Sequence, residues 1–274
     1  MRSLALRSTL GLLLLLGLAA PSPGADILLL SIECGGTPEY FQQALTDAGL
    51  DFDLVTDAVS AQGAILSGHY RWVIVDTYNY GFGFEDTSTA VLADFVADGG
   101  CSYISTWTWS ADPALAAIYE ASFVSDYTTP IPIYRWNAAH PLFTSPNALG
   151  DLTPTPDTCG IDGARFDVVG GGTAIGGYVP APAASEAGII IGNEGRTVLF
   201  GGITGLFSGD GDGDTIPDGQ EIAENVVAYL STQQCDLGGG TTVAIPTVSG
   251  IGLTALALVL AAAAIVALRR RTTA

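Results

Sequence analysis

Residues 26–32, with the sequence DILLLSI, form an apolar run that ends just before Cys34 and the two glycines after it. Such a run is typical of a strand that is buried on both faces, as in a parallel sheet. Thr37 then offers a helix N-cap, Pro38 suits the first helical position, and apolar residues recur at helical spacing up to Gly49. The pattern predicts the first βα unit of an α/β fold.

The same alternation continues along the chain. We predict further strands at residues 53–56, 72–76 and 102–106, and helices at 59–66 and 88–97. Alternating strands and helices of this length favour βαβ units, so the sequence predicts a doubly wound, mostly parallel sheet with helices on its faces.

The pattern is weaker between residues 110 and 188, where eight prolines after residue 123 interrupt it. A helix at 111–123 is the one regular element we predict there. Residues 187–192 and 196–200 then flank the turn Asn193-Glu194-Gly195, which predicts a β-hairpin. A closing helix is expected at 221–230.

Three segments carry a resemblance to a known family: VLADFVADGGCSYIST (91–106), AHPLF (139–143) and GRTVLFGG (195–202). Together with the first strand and helix, they make residues 26–232 similar to the class I glutamine amidotransferase-like, flavodoxin-type fold. The resemblance implies, for an active enzyme, a cysteine in the turn after the strand ending near Thr106, with histidine and glutamate partners later in the chain. That turn contains Trp107 and Trp109 but no cysteine, and no histidine follows His140. We therefore expect the chain not to be an enzyme.

The amino end, residues 1–25, has the order of a secretory signal peptide. Arg2 and Arg7 precede the apolar run LGLLLLLGLAA, which leads into a stretch of small residues and prolines. A buried core helix would not combine these positive charges with the proline break that follows. The sequence predicts that the domain at 26–236 is exported.

The carboxyl end resembles a sorting signal. The stretch 251–268 is uncharged, is long enough to nearly span a hydrocarbon core of about 30 Å, and is followed by Arg269-Arg270-Arg271. With Ile245-Pro246-Thr247 before it, it is similar to the IPTL-CTERM type of tail, a relative of PEP-CTERM tails. The resemblance implies an exosortase-like processing enzyme as partner and at least transient anchoring in the inner membrane of a Gram-negative bacterium, with the cell envelope or surface as destination. We assign this sorting tail to residues 246–274, after a linker at 237–245, and a plain tail anchor is the alternative.

The acidic residues are confined to the predicted domain, and the two ends of the chain carry only positive charges. The whole chain carries −19, but all 28 acidic residues lie between Asp26 and Asp236, with only four arginines among them and no lysine, so this segment carries −24. Phosphate backbones bind positively charged surfaces, so the composition excludes nucleic acid as a partner.

Four cysteines, Cys34, Cys101, Cys159 and Cys235, form an even set in a chain predicted to be exported, so disulfides are expected, with three possible pairings. No CxxC spacing is present. Cys34 lies at a βα turn, where a helix N-terminus can lower the pKa of a thiol, so a catalytic role for it is the alternative.

The most specific motif is DGDGDTIPDGQE at residues 210–221. Its spacing places the oxygen ligands of a calcium loop at positions 1, 3, 5, 7, 9 and 12, which are Asp210, Asp212, Asp214, the Ile216 carbonyl, Asp218 and Glu221. The stretch resembles an EF-hand loop and a thrombospondin type 3 repeat, with Thr215 in place of the position-6 glycine. Ca²⁺ is the predicted ligand, and a solvated acidic turn is the alternative.

Aromatic residues cluster at the carboxyl ends of the predicted strands, where open α/β sheets bind ligands. Tyr78, Tyr80, Trp107 and Trp109 are the candidates for a cleft that binds an extracellular glycan or protein, although packing inside the core explains them as well.

The leading hypothesis is an exported, calcium-stabilised, non-catalytic binding or structural surface protein. The alternative is an envelope hydrolase or amidase that uses this cleft, with Cys34 or the carboxylates Asp76 and Glu85.

Overall fold

A computed structural model describes residues 25–32, 39–77, 86–107, 109–127, 129, 131–155 and 163–235. The helices are α1 (Tyr40–Asp47), α2 (Ala58–Leu66), α3 (Asp86–Ala97), α4 (Ala114–Ala117) and α5 (Asp218–Ser231). The strands are β1 (Ile27–Ile32), β2 (Phe52–Val55), β3 (Trp72–Thr77), β4 (Cys101–Thr106), β5 (Ala121–Tyr127), β6 (Tyr134–Arg135), β7 (Gly163–Val168), β8 (Thr173–Gly177), β9 (Ala187–Gly192) and β10 (Thr197–Phe200).

The strands form one sheet whose main path is β2-β1-β3-β4-β10-β9-β7-β5. The first five strands on this path are parallel to one another. From β10 onward every pairing is antiparallel, and β8 and β6 extend β9 to the side. The prediction of a mostly parallel sheet is therefore wrong for the second half of the chain. The sheet is mixed because β9 and β10 form the predicted hairpin, which reverses the strand direction.

Helices cover both faces of the parallel half, as expected for a doubly wound fold. One core lies under α1 and α5 and includes Phe41, Tyr103 and Val226. The other lies under α2, α3 and α4 and includes Ile65 and Phe95. All six side chains of β1 are buried, in agreement with the apolar run that begins the fold.

The helix predicted at 111–123 is wrong. Only α4 is helical there, and residues 121–127 form β5, which pairs with β7. Glu120 explains the break, because its φ of 56° is left-handed and cannot continue a helix. Its carboxylate accepts hydrogen bonds from the backbone N–H groups of Gly171 and Asn193, which hold it in this conformation.

Several predicted segments lie outside the described residues. They are the signal peptide, the linker at 237–245 and the tail at 246–274 with its apolar stretch at 251–268. Among the residues that are described, none belongs to a helix with the length and apolar character needed to cross a membrane.

Candidate functional site

The carboxyl ends of the parallel strands bring polar side chains into one row. In the sheet register, Ser31 of β1 lies beside Asp76 of β3, and Asp76 lies beside Ser105 of β4. Side chains in register on parallel strands point to the same face, so this row lies on the side of the sheet that α1 and α5 cover. It is the edge at which open α/β sheets bind ligands.

Hydrogen bonds join this edge to the chain segment after β10. The Ser105 hydroxyl donates to the Gly202 carbonyl at 3.1 Å and accepts from the Thr204 N–H at 3.1 Å. The Tyr103 and Thr204 hydroxyls lie 2.8 Å apart, both buried. These contacts fix the segment that leads into the acidic loop at 210–221.

Of the four aromatic cleft candidates, the structure describes Trp107 and Trp109, and these two pack against different cores. Trp109 is only 1% exposed, and its ring packs edge to face against Phe166 at 4.9 Å. It is a core residue, so it has no free ring face for a ligand. Trp107 is partly buried and packs against the core below α1 and α5. Tyr78 and Tyr80 lie outside the described residues.

The acidic loop brings three of its predicted ligands together. Asp210, Asp212 and Asp214 are exposed, and one carboxylate oxygen from each lies within 4.8 Å of the others. The Asp210 carboxylate accepts hydrogen bonds from the N–H groups of Gly213, Asp214 and Thr215, the first at 2.6 Å. These bonds, led by that from Thr215, lower the pKa of Asp210, so its carboxylate is held in the charged form.

The loop has a left-handed residue at the position where an EF-hand loop has glycine. Thr215 stands at position 6 with a φ of 84°, the left-handed region in which EF-hand loops use glycine. A β-branched residue rarely adopts this conformation, because Cβ crowds the backbone. Thr215 therefore holds this turn at a cost in strain.

The last two predicted acidic ligands are buried at the first turn of α5. Asp218 is 2% exposed and accepts a hydrogen bond from the Gly211 N–H at 2.9 Å. Glu221 is 0% exposed, and neither of its carboxylate oxygens has a hydrogen-bond partner among the described residues. Burial, followed by the negative charges of Asp212, Asp214 and Asp218, raises the pKa of Glu221 to about 8.

The residues at 210–221 fit a hard cation. Calcium binds carboxylate and carbonyl oxygens and takes about six to eight of them. A buried, unpartnered carboxylate beside three other carboxylates is unfavourable unless it is protonated or faces a positive ion. The sequence identified these residues by spacing, but it carried no signal that Asp218 and Glu221 are buried while the other three carboxylates are exposed.

The cysteines and His140 have structural roles where the structure describes them. Cys101 and Cys235 form a disulfide, which confirms the prediction of disulfides for this pair. Cys34 and Cys159 lie outside the described residues, as does Glu85. The Nδ1 atom of His140 accepts from the Leu142 N–H at 3.2 Å, at the start of a short 3-10 helix.

No protein-family model matches the chain, and no curated protein matches its sequence. Solved structures do show similarity. A glutamine amidotransferase from Methylobacillus flagellatus aligns over 76% of this chain and 94% of its own, with 10% identity and a TM-score of 0.48. The structure of PurLQS from Thermotoga maritima aligns over 75% of this chain and 99% of its own, with 10% identity and a TM-score of 0.47.

A third similar structure is Agd3, a carbohydrate deacetylase, with 12% identity and a TM-score of 0.47 over 76% of this chain and 32% of its own. The likeness concerns the arrangement of strands and helices, and one of the three proteins belongs to the family that the sequence resembles. Two of them are described as enzymes. This finding contradicts the expectation that the chain is not an enzyme, and we do not retain that expectation.

Proposed function

We propose that the chain is an exported, envelope-sorted α/β protein whose domain is stabilised by calcium bound at residues 210–221. The predicted ligands are the carboxylates of Asp210, Asp212, Asp214, Asp218 and Glu221 and the carbonyl of Ile216. Extracellular calcium sites have dissociation constants of about 10⁻⁴ to 10⁻³ M. A site of that strength suits a structural ion in an exported domain.

The observation that carries the proposal is the buried Glu221 carboxylate. It has no hydrogen-bond partner among the described residues, and it lies in the negative field of three aspartates. A cation would compensate this carboxylate and the exposed aspartates together. It would thereby hold the first turn of α5 to the loop that precedes it.

Calcium titration of the full chain tests the proposal. With a dissociation constant of about 0.1 to 1 mM, about 10 mM calcium adds roughly 1.4 to 2.7 kcal/mol of stability, or roughly 5 °C in Tm. Glu221→Gln keeps the side-chain shape but removes the charged ligand, so calcium should no longer raise its Tm.

The matched control is Asp126→Asn, which removes an exposed carboxylate on β5 at the far edge of the sheet. It should keep the full calcium effect. If calcium leaves the Tm of the unmodified chain unchanged, the proposal is wrong. It is also wrong if calcium raises the Tm equally in Glu221→Gln, because calcium then only screens the negative charge.

Export and sorting form a separate part of the proposal and rest on the sequence of the two ends. Mass spectrometry of the mature envelope protein tests them, with an exosortase-like enzyme as the expected processing partner. We expect the chain to begin near residue 26 and its tail to be shortened. A mature protein that retains residues 1–25 and is found in the cytoplasm would contradict export.

A second candidate function is a hydrolase or amidase at the carboxyl edge of the sheet. The row Ser31, Asp76 and Ser105 favours it, because it places a carboxylate between two hydroxyl groups on adjacent strands. A carboxylate there could act as a general base that takes a proton from an attacking water molecule.

A panel of chromogenic ester and amide substrates tests this candidate. If Asp76 is the base, Asp76→Asn should lower kcat by about 10² to 10⁴, while Asp126→Asn should leave it unchanged. Turnover that is equal in Asp76→Asn and the unmodified chain, or absent from both, would exclude Asp76 as a catalytic base.

A further inference from the structure

Helix α1 also contributes to the surroundings of the acidic loop. Tyr40, the first residue of α1, is 4% exposed, and its hydroxyl has no hydrogen-bond partner among the described residues. Buried polar groups in proteins normally have a hydrogen-bond partner, so each exception requires an explanation such as an ion or an ordered water. Tyr40 and Glu221 are two such exceptions, and both belong to the packing of α1 and the acidic loop around the start of α5.

The Tyr40 ring lies directly against the first turn of α5. A Cβ atom built on Gly219 would be 2.4 Å from the Cε2 atom of the ring, which is closer than any side chain tolerates. Only glycine at this position allows the ring to pack against the backbone of the first turn of α5, between Asp218 and Glu221 in the sequence. The sequence therefore has a glycine where the Tyr40 ring packs, directly after Asp218 in the chain.

The charge of Asp218 reaches the tyrosine. Burial, and after it the charge of Asp218, raises the pKa of the Tyr40 hydroxyl, so the group stays protonated and is a hydrogen-bond donor. Tyr40 makes no direct hydrogen bond with Asp218 in the structure. A water molecule can bridge two polar groups that do not meet directly, and calcium commonly keeps water among its ligands.

We propose that Tyr40 is a positioning residue of the calcium site, whose hydroxyl donates a hydrogen bond to a water molecule held at the ion. This inference rests on the proposed calcium function. Its consequence is that calcium joins α1 to α5, the two helices that cover one face of the sheet. The ion then orders the start of α1, which follows β1 at the edge where Ser31 and Asp76 lie.

Tyr40→Phe in the full chain, purified in detergent, separates this role from simple packing. The substitution removes the unpartnered hydroxyl and keeps the ring against Gly219. In EGTA its Tm should equal or exceed that of the unmodified chain, because a buried group without a partner has been removed. Its dissociation constant for calcium, measured by titration calorimetry, should rise about tenfold, as found when groups that orient metal ligands are removed.

Tyr119→Phe is the matched control. Tyr119 is a fully buried tyrosine under the opposite face of the sheet, and its hydroxyl pairs with Ser102 at 2.7 Å. This variant should lose the same stability with and without calcium and should bind calcium like the unmodified chain.

If Tyr40→Phe binds calcium as tightly as the unmodified chain, the inference about Tyr40 is wrong while the calcium site stands. If the unmodified chain itself binds no calcium, the proposed function fails and the inference fails with it.

Discussion

The two ends of helix α5 can be compared directly. At the carboxyl end, Cys235 is bonded to Cys101 at the start of β4, and the Arg71 guanidinium donates to the Cys235 carbonyl at 3.1 Å. At the amino end, the helix starts among carboxylates, and the buried oxygens of Glu221 have no partner among the described residues. One end is held by a covalent bond, whereas the other requires a proton or a cation.

Under the proposed function, the stability of α5 depends on two separate conditions. The carboxyl end depends on oxidation of a cysteine pair, and the amino end depends on pH and on the cation concentration. The ends of a 14-residue helix lie about 20 Å apart, so their contributions should add.

The largest effect is expected at the carboxyl end. The Cys101–Cys235 disulfide closes a chain loop with a sequence separation of 134 residues, and removing a cross-link over such a loop costs about 4–5 kcal/mol in the loop-entropy account. The double variant Cys101→Ala/Cys235→Ala should lose this amount in guanidinium unfolding, equally in calcium and in EGTA. A loss that differs by more than about 1 kcal/mol between the two conditions would mean that the ends of α5 are coupled.

A smaller effect is expected at the amino end as the pH changes. The pKa of Glu221 is raised from an ordinary value of 4.5 to about 8 in the calcium-free fold, so the folded chain binds more protons than the unfolded chain between these values. Stability is therefore greatest below about pH 4.5 for this group and is lost as the pH rises through 8. Between pH 6 and pH 8 the calcium-free protein should lose about 2 kcal/mol.

Chemical unfolding at pH 6, 7 and 8 measures this loss. Asp218, whose pKa is also raised by burial, acts in the same direction. Glu221→Gln should remove most of the slope, and saturating calcium should remove it as well, because the ion keeps the carboxylate charged in the folded state. A slope that persists in Glu221→Gln would assign it to another group.

Sequence patterns predicted the parallel half of the fold well, because buried strands and amphipathic helices have strong periodic signals. The run at 26–32 became β1, and the predicted hairpin became β9 and β10. The region after residue 110 was harder, since its structure depends on single residues in unusual conformations. Glu120 is an example: its left-handed backbone is stabilised by partners that lie 51 and 73 residues further along the chain.

The candidate site divides in the same way. Ligand spacing at 210–221 was visible in the sequence because a calcium loop is a local motif. The burial of Glu221 and the contact of Tyr40 with Gly219 were not visible, because they arise from packing between α1 and α5. Likewise, nothing local distinguishes Trp109, which is buried against Phe166, from Trp107, which is partly buried.

The smallest predicted effect concerns strain in the loop before α5. Thr215→Gly should stabilise the protein by about 0.5–1 kcal/mol, because relief of the left-handed strain outweighs the greater chain entropy that glycine gives the unfolded state. The matched control is Gly213→Ala, at φ 86° with no atom within 4 Å of the new Cβ, which introduces strain without a clash and should cost about 1 kcal/mol. Thermal unfolding in EGTA compares the two. Opposite shifts in Tm would show that backbone strain, as well as charge, lowers the stability of the loop before α5. A loss of stability in Thr215→Gly would mean instead that the threonine side chain stabilises the loop.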